Sequence, residues 1–121
     1  MANGGANEDF RQMLTRMECD GHLRRVKKTI RPEHITALCG KAPGAIMCEA
    51  VEGFDIPVVG GLYWTRARTA SALGWREGEL GPRFAASVAN PIAPETVNTG
   101  LCQDVVSTGD DVDLTSLPIP F

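Results

Sequence analysis

Four cysteines, two histidines and a run of aspartates are the residues of this 121-residue sequence whose chemistry suits a site. Zinc needs thiolates or imidazoles at close spacing, and Cys19, Cys39, Cys48, Cys102, His22 and His34 show neither Cys-x-x-Cys nor His-x3–5-His. A metal centre would require distant segments to converge. Asp110, Asp111 and Asp113 invite calcium, but an EF-hand loop needs glycine at its sixth position and a closing glutamate, and neither is present. Those aspartates are read as turn and helix-capping residues. Gly40-Lys41 and Gly60-Gly61 lack the glycine and lysine spacing that cradles phosphate, so they are read as turns. No thiol or hydroxyl has a base as a local partner. His22 follows a predicted helix stop and His34 lies in Pro32-Glu33-His34, so both are placed at the surface. No self-contained active site emerges, and no catalytic, cofactor-binding or metal-binding residue is assigned.

The elements that would carry these residues are legible from periodicity. Residues 1–6, rich in Gly, Ala and Asn, read as a flexible leader. Phe10, Met13, Leu14 and Met17 fall at i, i+3, i+4 and i+7, which predicts an amphipathic helix capped by Asn7 and stopped at Gly21. Leu23 to Ile30 reads as an edge strand protected by Arg24, Arg25, Lys27 and Lys28, with no aromatic platform for nucleic acid among them. A second helix runs from Pro32 to Gly40. Strands at 45–51 and 56–62 follow, a candidate hairpin apolar enough to be covered on both faces. Thr65 caps a third helix that stops at Gly74. Beyond Trp75 the pattern weakens to a short helix at 82–88, a proline-rich stretch, a strand at 102–107 and an extended, apolar, proline-punctuated end. The fold class this predicts is α+β, a small mixed sheet with packed short helices.

Length and composition bound the rest. A chain of 121 residues, 43% hydrophobic and 22% charged, has the material for one core. Its net charge of −3 sets up no positive field for nucleic acid or anionic lipid. No apolar run is long enough to span a bilayer. The small, polar N-terminus lacks the features of a secretory signal, which places the protein in the cytoplasm with its cysteines as reduced thiols.

Several phrases in order resemble the N-terminal domain of the UbiD family, the polyprenyl-4-hydroxybenzoate carboxy-lyase-like decarboxylases. They are Asp9-Phe10-Arg11, Gly21-His22-Leu23-Arg24-Arg25-Val26, Val51 to Val59, Ala70-Ser71-Ala72-Leu73-Gly74, Cys102 to Val106, Thr108 to Leu114 and Leu117-Pro118-Ile119-Pro120. The resemblance implies a prenylated-FMN enzyme that reversibly decarboxylates aromatic or α,β-unsaturated acids, the modified ring serving as electron sink. It also implies a divalent metal, manganese, at the flavin phosphate, and a catalytic arginine with acidic partners. None of those residues has a counterpart here, because family members continue for several hundred residues beyond Leu-Pro-Ile-Pro.

The expectation is therefore a small noncatalytic subunit, a split N-terminal domain, of a multi-chain UbiD-like (de)carboxylase whose larger catalytic subunit carries the prenylated FMN. Met1 favours an authentic beginning. The alternatives are an N-terminal fragment of a full-length enzyme, or a nonenzymatic assembly or regulatory module. The expected layout is a leader at 1–6, an α+β domain at 7–107 and a docking segment at 108–121. Asp110, Asp111, Asp113, Leu117, Ile119 and Phe121 are the expected partner-docking residues, in a hetero-oligomer without nucleic acid or membrane.

Overall fold

A capping box opens the first helix, α1 (Phe10–Cys19). The Asp9 carboxylate accepts the Gln12 backbone N–H at 2.7 Å, and the Gln12 side chain accepts the Asp9 N–H at 2.9 Å. The cap is thus Asp9, and the expected Asn7 lies outside residues 8–120, which this computed structural model describes. Asp9 takes the role because Gln12 stands three residues on, where its amide closes the box. Leu14 and Met17 are buried and Phe10 is exposed, so the buried stripe is shorter than the sequence period. Gly21, at φ +78°, turns the chain out of the helix.

Strand β1 (Leu23–Val26) leads through α2 (Pro32–Lys41) to β2 (Ala45–Cys48), and β3 (Val58–Gly60) completes a mixed sheet in the order β1-β2-β3. β1 and β2 are parallel, with Leu23 opposite Ala45, and α2 is the crossover that parallel pairing requires. β2 and β3 are antiparallel, with Cys48 opposite Val58. All three strands are shorter than their apolar runs. Lys27 to Thr29 are exposed and break the first ladder, which resumes only as an isolated bridge between Ile30 and Val51. Pro57 has no N–H for the third strand, and Gly61, at φ +77°, turns its far end away.

The central strand alternates faces, as the pleat dictates. Ala45 joins Leu14, Met17, Leu23, Leu62 and Ala72 beneath α1 and α3 (Arg66–Ala72), while Ile46 and Cys48 join Ile35, Cys39 and Val51 beneath α2. Both faces of the strand are therefore covered. Gly60 is required where β3 meets α2: a Cβ there would stand 2.6 Å from Cys39 Sγ. On the other side Arg16 donates to the Ser71 carbonyl and, at 3.2 Å, to the Ala72 carbonyl, capping the end of α3.

A 3-10 turn (Glu77–Glu79) leads into α4 (Leu80–Ala89), which touches that turn and α3 and buries none of its residues. The strand expected at 102–107 does not form. Leu101–Gln103 is a 3-10 turn, and Val105-Val106 has no neighbouring strand whose ladder it joins. The expected extended end also contains 3-10 turns, at Gly109–Asp111 and Leu114–Ser116.

Candidate functional site

The thiols and imidazoles are dispersed. Cys39, on α2, and Cys48, on β2, are buried, and burial pushes both thiols above their ordinary range. Cys19 and Cys102 are exposed, and all four thiols are free. His22 is half-buried and His34 exposed. Among the described residues no three His, Cys, Asp or Glu side chains gather closely enough to hold a metal ion.

The most buried charge was not apparent in the sequence. Arg68 on α3 is 7% exposed and donates to the carbonyls of Gly61 at 3.1 Å and Ala42 at 3.3 Å. It ties the end of α2 and the end of β3 to α3, so its role is to hold three elements in register. Thr65 caps that helix by accepting the Arg68 N–H at 3.2 Å. The available signal was position: Arg68 shares a helical face with Ser71 and Ala72, three and four residues on, and both are buried.

The expected docking residues divide. Asp113 Oδ1 accepts the Thr115 N–H at 2.9 Å and its hydroxyl at 2.6 Å, which holds the carboxyl below its usual range. Asp110 and Asp111 lie in the preceding 3-10 turn. Leu117 and Ile119 are exposed on either side of Pro118, which is buried. Phe121 lies outside the described residues. Further exposed apolar residues, not singled out in the sequence, lie upstream. On α4, Phe84 is 62% and Val88 67% exposed, one turn apart on one face, and Ile92, Val97 and Leu101 in the chain that follows are exposed as well.

A sequence profile of the 3-octaprenyl-4-hydroxybenzoate carboxy-lyase N-terminal domain matches residues 14–88, from the middle of α1 almost to the end of α4. The chain belongs to this family. As a UbiD N-terminal domain it has relatives on both the sequence and the structural side. An uncharacterized protein in the cooM 5′ region of Rhodospirillum rubrum is 34% identical over 121 residues, covering 93% of this chain and 26% of that protein. The UbiD-class enzyme HmfF from Pelotomaculum thermopropionicum, solved in complex with FMN, superposes with a TM-score of 0.75 at 29% identity, over 92% of this chain and 26% of that one. An evolved dimeric form of HmfF, in complex with prFMN, gives a TM-score of 0.75 over 92% of this chain and 27% of its own. The UbiD N-terminal domain described here thus spans about a quarter of the length of these relatives.

The flavin in the HmfF structures raises the question of whether residues of this chain fit one. The glycine pair Gly60-Gly61 does not. Space beside Gly60 is filled by Cys39, and space beside Gly61 by Arg68 and Trp64, so neither glycine opens a cradle for phosphate. No cluster of metal donors lies beside them.

Proposed function

We propose that this UbiD N-terminal domain is a noncatalytic small subunit of a multi-chain UbiD-like (de)carboxylase acting on aromatic or α,β-unsaturated carboxylic acids. The observation that carries the reading is an imbalance. Both faces of the central strand are covered, yet large apolar residues from Phe84 to Ile119 face solvent. So many large apolar side chains left exposed along one stretch of chain support a docking face. The prenylated FMN and its divalent metal, manganese, belong in this reading to the larger catalytic subunit, where the flavin supplies the electron sink that carbon dioxide loss requires.

Within the chain, residues 7–107 serve as the α+β scaffold and 108–121 as the docking segment. Leu117, Ile119 and Phe121 supply apolar contact, and Asp110, Asp111 and Asp113 form its polar margin. Four free thiols suit a reducing, cytoplasmic setting for the hetero-oligomer.

The test is recovery of the tagged chain from native extract, with mass spectrometry and flavin absorbance on what comes with it. A separate, larger UbiD-like polypeptide carrying flavin is the expected result. Flavin held by the purified chain alone, or decarboxylation by it unaided, would overturn the reading. Detection of these residues solely within one long polypeptide would replace the small subunit with the N-terminal part of a full-length enzyme.

A further inference from the structure

We infer that the contact with the larger body is made chiefly by α4 and the arm that follows it, residues 84–103, lying in an uncharged apolar groove of the flavin-bearing chain. This rests on the docking role proposed above and adds to the segment at 108–121 a larger contact surface drawn from the end of the scaffold. From Phe84 to Gln103 the sole charged residue is Glu95, and every residue from Phe84 to Thr99 is exposed. A solvated linker of that length is ordinarily rich in charge and poor in large aliphatic side chains. This one carries Val88, Ile92, Val97 and Leu101, with Ile92 94% exposed.

The arm has little of its own chain to rest on. α4 touches α3 and the 3-10 turn before it, and residues 91–99 form no helix or strand. HmfF is nevertheless matched over 92% of this chain. The part left unmatched is shorter than the arm, so at least some of the arm has its counterpart in a protein of which this chain covers 26%. An extended course shared with a longer protein, and unsupported within this chain, points to the additional body as its support. The groove that fits is aliphatic and aromatic, because a buried charge facing these side chains would go unpaired.

The experiment uses two purified chains, this one and the larger flavin-bearing chain recovered with it from native extract, with affinity measured by calorimetry. Phe84→Asp/Val88→Asp, two changes on an exposed face, is expected to weaken binding by about 100-fold while the isolated chain keeps its circular dichroism and melting temperature. Hydrogen exchange on the wild-type complex gives a readout independent of the variant: slowed exchange across residues 84–103 is expected. Wild-type binding with no slowing there and no loss in the variant would overturn this inference and leave the docking role standing. No wild-type binding at all would overturn both. Self-association of the isolated chain that the variant abolishes would assign the arm to a second copy and overturn the inference.

Discussion

Gly60 and Cys39 show how tightly single residues set the distance between sheet and helix. Gly60→Ala places a methyl group against Cys39 Sγ and is expected to destabilise the chain by about 1–3 kcal/mol in urea unfolding. Adding Cys39→Ala should recover part of that loss, so the double variant falls short of the summed single effects. The buried thiols give a pH dependence of definite sign. Burial raises Cys39 and Cys48 above the ordinary 9.0, so above that pH the unfolded chain releases protons that the folded chain retains. Stability is expected to fall as pH rises above 9, less steeply in Cys48→Ala, read from urea midpoints. In the native chain a thiol reagent should modify Cys19 and Cys102 rapidly and reach Cys39 and Cys48 only on unfolding. At this scale the sequence was legible where chemistry is local: Asp113 and Thr115, two residues apart, make their turn without help from the rest of the fold. For Arg68 the sequence offered only its place on a helical face, because its partners, Ala42 and Gly61, are fixed by tertiary packing.

The helices were legible because their signals are internal. Leu14 and Met17 carry the apolar stripe of α1, Pro32 opens α2, and Thr65 caps α3. Asp9→Ala removes the carboxylate of the α1 capping box and is expected to cost about 0.5–2 kcal/mol, measured by thermal or urea unfolding. Strands carry less of their own specification. The runs at 45–51 and 56–62 were found, but where they end depends on Pro57, on Gly61 and on which neighbour continues the ladder. Val105-Val106 has strand-forming side chains and no strand, since pairing is a property of two segments. The exposed face of α4 was missed for a related reason: the sequence predicts the helix at 82–88, but only the packing shows that nothing covers Phe84 and Val88.

For the molecule as a whole, α1 and α3 on one side and α2 on the other close a three-stranded sheet into a self-contained α+β unit, while the chain beyond α4 stays on its surface. A unit of this kind spans about a quarter of the UbiD-class relatives and leaves large apolar side chains beyond α4 exposed. Its fold class and family were legible because the matching phrases are spread over nearly the whole chain. Which of its large apolar residues stay exposed was not, since exposure is not written in residue type. A docking role is tested most directly by reconstitution: turnover of a carboxylic acid by the larger flavin-bearing chain, measured with this chain present, omitted and restored. Activity lost on omission and regained on addition, with none from this chain alone, is the predicted result. Undiminished turnover in its absence would contradict it.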